Sequence, residues 1–137
     1  MAHVHTEGEI EATPDKVWGV VGDFAGFVKA IGAPVELEGE GIGSRRIIKL
    51  GAQSIVERLE ELDHGRQRIS YTILEPGPLP VENYRATIQL SPSGQSRSTM
   101  TWWSDFEPRG ASEDDAVAAV RGVYEGGIAA MQKYFAG

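Results

Sequence analysis

The sequence contains no cysteine, which excludes disulfides, thiolate metal centres and cysteine nucleophiles. It has no apolar run near the ~20 residues that a membrane helix needs, so no membrane insertion is expected. The opening segment Met1-Ala2-His3-Val4-His5 lacks both the basic start and the apolar core of a secretory leader, and a cytoplasmic location is expected. Positive charge is scarce: 13 Lys and Arg stand against 20 Asp and Glu, a formal net charge of −7. Without a basic run, nucleic acid and anionic membranes are poor partners. Glycine-rich phosphate loops, the His-Glu zinc helix motif and a serine triad are also missing, and no cofactor is expected.

What is present is 137 residues, 41% hydrophobic and 24% charged, the size and composition of one globular domain over residues 1–137. Residues 3–12 alternate, with Val4, Thr6, Ile10 and Ala12 on one side and His3, His5, Glu7, Glu9 and Glu11 on the other. Period two predicts a half-buried strand. The spacing of His3, His5 and Glu7 would suit a metal, but two histidines near a chain end read as a solvated face, and no metal is expected. Thr13-Pro14-Asp15 then opens a short helix: threonine caps, proline suits the first helical position, and aspartate favours the positive end of the dipole. Phe24 to Ile31 predicts a second, stopped by Gly32 and Pro34.

From Val35 to Pro108 the pattern is strands and turns. Glycines at 39, 41 and 43 bend the chain between two strands. Strands follow over 46–50, 53–62, 68–74, 82–90 and 98–107, with Asp63-His64-Gly65 and Ser91-Pro92-Ser93-Gly94 as turns. Ser112, with Asp115 three residues on, starts a long helix that runs to about Phe135. Val117, Val120, Tyr124, Ile128, Met131 and Phe135 form its large apolar stripe. A second row, Ala116, Ala119, Val123, Gly127 and Ala130, is small. The order of one strand, two short helices, six strands and one long helix predicts an α+β antiparallel meander whose apolar face the last helix covers. Interior glycines at 126 and 127 cost roughly 1 kcal/mol each relative to alanine. Room for a ligand beside Gly127 would offset that.

Several segments, taken in order, resemble a known superfamily. Thr13-Pro14-Asp15-Lys16-Val17-Trp18 and Gly22-Asp23-Phe24 are followed by Gly41-Ile42-Gly43-Ser44-Arg45-Arg46, Glu57-Arg58-Leu59, Leu62-Asp63, Tyr71, Asn83-Tyr84-Arg85, Trp102 and Phe106-Glu107-Pro108. This set is similar to the bacterial polyketide cyclase/dehydrase-like proteins of the START-like helix-grip superfamily, which includes plant pathogenesis-related proteins and abscisic-acid receptors. The resemblance covers nearly the whole chain. It implies a curved seven-stranded antiparallel sheet wrapped around the C-terminal helix, with two short helices after the first strand. It also implies a closed apolar cavity that takes a hydrophobic or amphipathic small molecule, aromatic, polyketide-like or lipid. Some members are cyclases, dehydratases or isomerases, many only carry or sense, and others act as chaperone accessories.

Candidate site residues follow from strand phase and from the resemblance. In Ile55-Val56-Glu57-Arg58-Leu59, Glu57 shares the inward phase of Ile55 and Leu59. Desolvation would raise its pKa and make it a candidate general acid or base. The resemblance places a ligand-contacting glutamate at that position and a carboxylate-binding lysine at Lys29; an inward Lys29 would pair with Glu57 or grip an anionic ligand, and an outward one would be a surface lysine on a short helix. Tyr71 and Tyr84 fall in the inward phase of their strands, as does Trp102, and all three are expected to touch ligand. Val123 and Gly127 join them from the helix. Trp103 would then lie on the convex face, either exposed as a homodimer contact or packed under a neighbouring side chain. The Leu50-Gly51-Ala52 connection and the proline-rich segment Glu75 to Pro80 are expected to border the mouth.

Overall fold

A computed structural model describes residues 1–136. Strand β1 (Ala2–Ile10) leads into helices α1 (Pro14–Val21) and α2 (Phe24–Ala30), then strands β2 (Val35–Glu38), β3 (Arg45–Leu50), β4 (Gln53–Asp63), β5 (Arg68–Glu75), β6 (Val81–Gly94) and β7 (Arg97–Pro108), and finally helix α3 (Glu113–Tyr134). The sheet order is β1-β7-β6-β5-β4-β3-β2, with all neighbours antiparallel. The two short helices carry the chain from one sheet edge to the other. The meander then walks back until β7 meets β1, with Thr6 opposite Trp102. This is the helix-grip architecture that the element order and the resemblance imply.

Local chemistry sets the helix ends. The side chains of Thr13, Asp23 and Ser112 accept backbone N–H groups of Lys16, Gly26 and Asp115, satisfying donors that each first turn leaves free. His64, in the turn after β4, accepts a hydrogen bond from Trp18 Nε1 at 3.0 Å and ties that hairpin to α1.

One expectation is corrected here, and one alternative is decided. The segment Ser91-Pro92-Ser93-Gly94 continues β6 instead of turning, and the turn falls at residues 95–96. Proline is tolerated because β5 stops pairing with β6 at Gln89, so the missing N–H of Pro92 faces no neighbour on that side. Trp103 does lie on the convex face, but it is half-buried. The His5 ring stacks on it with centroids 6.4 Å apart, and the Arg68 guanidinium lies 5.5 Å from its centre, so its own neighbours cover it.

The core fills the concave side of the sheet. Val4, Leu59, Ile69, Ile88, Met100 and Phe106 meet Val120, Tyr124, Ile128 and Met131 of α3. A bulge between Glu82 and Arg85, with Asn83 at φ +53°, turns both Val81 and Tyr84 inward. No helix among the described residues is long and apolar enough to cross a membrane.

Candidate ligand-binding cavity

A cavity of about 200 Å³ lies between the concave face and α3. Its walls come from β3, β4, β5, β6 and β7, from α2, and from Val120, Val123 and Tyr124 of α3. Glu57, Tyr71, Tyr84, Trp102 and Val123 all line it. Val123 stands at the rim, 46% exposed, and Leu50, at 42%, stands across from it on the sheet. Leu79, from the proline-rich connection, also lines the space.

Lys29 lies outside it. The inward side of α2 is taken by Phe24, Ala25, Phe27 and Val28. One residue on, the ~100° step of a helix turns position 29 away, into an outer groove with Gly19, Asp23 and Tyr134. The partner of Glu57 is Arg46, whose Nε donates to Glu57 Oε1 at 2.6 Å. Both side chains are buried, at 3% and 8% exposure. Arg46 Nη1 also donates to the Phe24 carbonyl at 2.7 Å. The guanidinium is stacked against two rings, 4.1 Å from the centre of Phe24 and 4.6 Å from that of Tyr71. Arg46 belongs to a segment quoted for the resemblance but carried no expected role. Its place was readable: a two-residue connection at Gly51-Ala52 closes on the Leu50–Gln53 pair, and four pairs back Arg46 stands opposite Glu57.

Gly127 does not line the cavity. A Cβ there would sit 2.6 Å from Trp102 Cζ3, so the indole fills the room that the missing side chain leaves. Ala116 is buried against the sheet, while Ala119 and Ala130 are only partly covered. The room beside Gly127 is thus taken by the indole, while Val123 of the same row lines the cavity, which opens further toward the N-terminal half of α3. Trp102 stacks on Tyr124 with centroids 4.3 Å apart and meets Phe27 edge-on at 5.5 Å.

Three phenols complete the site. Trp102 Nε1 donates to the Tyr71 hydroxyl at 3.2 Å, and the hydroxyls of Tyr84 and Tyr124 are hydrogen-bonded to each other. Tyr124 was expected in the core stripe, not at the site. Burial pushes all three phenols above the ordinary tyrosine range, with the Glu57 carboxylate adding to the effect. They therefore stay protonated and act as hydrogen-bond donors. The consequence for stability has a definite sign. A phenol whose pKa is raised on folding stabilises fully below its unfolded value of about 10, and that contribution is lost as pH rises from there through the folded value. Stability should fall above about pH 10 by at least ~1.4 kcal/mol per pH unit, one proton's worth. Urea unfolding at pH 9, 10 and 11, repeated for Tyr84→Phe, would check this; an unchanged midpoint for the wild type would contradict it.

The chain matches a family model described as polyketide cyclase/dehydrase and lipid transport over residues 1–136. Among solved structures, XoxI of Bacillus cereus is 30% identical, with 98% of this chain and 96% of that chain covered and a TM-score of 0.89. An uncharacterized protein of Bacillus thuringiensis is 29% identical over 99% of this chain and 100% of its own, with a TM-score of 0.91. Norcoclaurine synthase from Thalictrum flavum, solved with dopamine and hydroxybenzaldehyde, is 20% identical over 96% of this chain and 84% of that chain, with a TM-score of 0.75, a likeness of fold. No curated protein matches the chain.

Proposed function

The chain belongs to the polyketide cyclase/dehydrase and lipid transport family, and on that premise we propose that it binds a hydrophobic or amphipathic small molecule in the cavity between sheet and α3 without transforming it. The observation that carries this reading is the Arg46–Glu57 ion pair. Glu57 is the only carboxylate lining the cavity among the described residues, and its charge is committed to a buried guanidinium. A general base needs a carboxylate free to reach the substrate, and Oε1 of this one is engaged by Arg46 Nε at 2.6 Å. The remaining polar groups are phenols and an indole held in hydrogen bonds, with apolar walls around them. That composition supports recognition by shape with a few orienting contacts.

Toluene is a suitable generic probe, because it asks only whether the cavity accepts an apolar molecule. Chemical-shift changes confined to the lining residues on titration with toluene are the expected result. Val123→Trp should then weaken toluene binding by at least about tenfold, roughly 1.4 kcal/mol, with little change in stability, since position 123 is half exposed at the rim. Native mass spectrometry of the purified protein should in parallel show a small molecule carried by the wild type and lost from the variant. Shifts spread over the outer surface, or an unaffected Val123→Trp, would sink the reading.

A further inference from the structure

Resting on the reading of the cavity as a ligand site, we infer that its occupant is an uncharged aromatic molecule of one or two rings bearing a carbonyl oxygen, which accepts a hydrogen bond from Tyr71. Size comes first. An engineered cavity of about 150 Å³ holds benzene, and this one measures about 200 Å³. That admits one ring with a short substituent, or two fused rings. A four-ring skeleton or a long acyl chain needs more volume than that.

Charge comes second. Arg46 and Glu57 are the charged residues lining the cavity, and they neutralise each other. With Lys29 outside, no unpaired cation among the described lining residues awaits a carboxylate or phosphate. An ionised ligand would be stripped of water without gaining a counter-charge, a heavy penalty in an apolar site.

Hydrogen-bond accounting decides the rest. The three phenols carry three hydroxyl protons, and the bond between Tyr84 and Tyr124 uses one of them. The Tyr71 oxygen accepts from Trp102 Nε1, and that contact leaves its own proton to be given. Burial keeps this phenol protonated at ordinary pH. A wall with a spare donor selects an acceptor. The rings of Phe27, Trp102 and Tyr124, which line the same space, favour an aromatic molecule.

The test compares acetophenone with α-methylstyrene, which has the same shape but a methylene in place of the carbonyl oxygen. Benzoate and progesterone serve as charge and size controls. Binding is followed by nuclear magnetic resonance on the whole protein. Acetophenone should bind, benzoate should be at least about tenfold weaker, and progesterone should not enter. In Tyr71→Phe, acetophenone affinity should fall about 3- to 10-fold, the usual worth of one hydrogen bond, while α-methylstyrene affinity should not fall. The infrared carbonyl stretch of acetophenone bound to the wild type should lie below its value in alkane, a measurement that stands even if Tyr71→Phe does not fold. Equal losses for both probes, an unshifted stretch, or tightest binding of benzoate or progesterone would overturn the assignment while leaving the cavity a ligand site. If neither acetophenone nor α-methylstyrene nor toluene binds, the reading of the cavity itself is overturned and the assignment with it.

Discussion

Glu57→Leu should destabilise the protein by about 3–5 kcal/mol, the usual cost of stranding one member of a buried ion pair. The double variant Arg46→Met with Glu57→Leu should cost far less. In the single variant, the guanidinium stays between the rings of Phe24 and Tyr71 with its carboxylate gone. It keeps one bond, to the Phe24 carbonyl, and its charge is left uncompensated at 3% exposure. Desolvation, and not the lost hydrogen bond, dominates that cost. In the double variant both charges go together. Methionine can follow the path of the arginine stem between the two rings and make sulfur–aromatic contacts, and leucine continues the aliphatic wall of Ile55 and Leu59. Urea unfolding of the wild type, both singles and the double would measure the coupling directly. If the double loses as much as the sum of the singles, the pair is not a unit, and the charge argument used for both proposals falls with it.

The fold was legible because period and punctuation agreed along nearly the whole chain. The alternation of residues 3–12, the Thr13-Pro14-Asp15 start and the Ser112 cap each follow from local chemistry, and each element stands where that chemistry puts it. The 91–94 error shows the limit of punctuation: proline ends a strand only when a neighbour needs its N–H, and the length of the neighbouring strand is not a local property. Strand phase also placed Glu57, Tyr71, Tyr84 and Trp102 on the inner face, since period two leaves only two choices. Lys29 went astray because the likeness of one short segment outweighed helix geometry. Phe27 and Val28 already occupied the inward side. The true partner, Arg46, required pairing two strands across a turn, a step the residues permitted and single-strand phase did not supply. Gly127 was placed on the correct face of α3, but the size of what lies opposite is invisible from the helix alone. A row of small residues marks close approach as readily as empty space.

That close approach sets the second large effect. Trp102→Ala should cost about 3–5 kcal/mol, since the indole stacks on Tyr124, abuts Phe27 and supplies the hydrogen bond to Tyr71. Gly127→Leu in the wild type should cost about 2–3 kcal/mol: overpacking forces the indole off its stacked position, and the gain in helix propensity of roughly 1 kcal/mol offsets only part of that. The indole has little freedom to yield, because Tyr124 holds its face and Phe27 its edge. Introduced into Trp102→Ala, however, Gly127→Leu meets a void where the ring had been. The collision disappears, the propensity gain remains, and the new side chain refills part of the lost volume. The double variant should therefore be more stable than Trp102→Ala alone, the reverse of the effect of the same substitution in the wild type. Gly126→Ala provides the control on the neighbouring position: nothing lies within 4 Å of its would-be Cβ, so it should stabilise by about 1 kcal/mol in either background. Thermal or urea unfolding of these variants gives the sign directly. If Gly127→Leu destabilises both backgrounds equally, Gly127 is not matched to Trp102, and the row of small residues on α3 needs a different explanation.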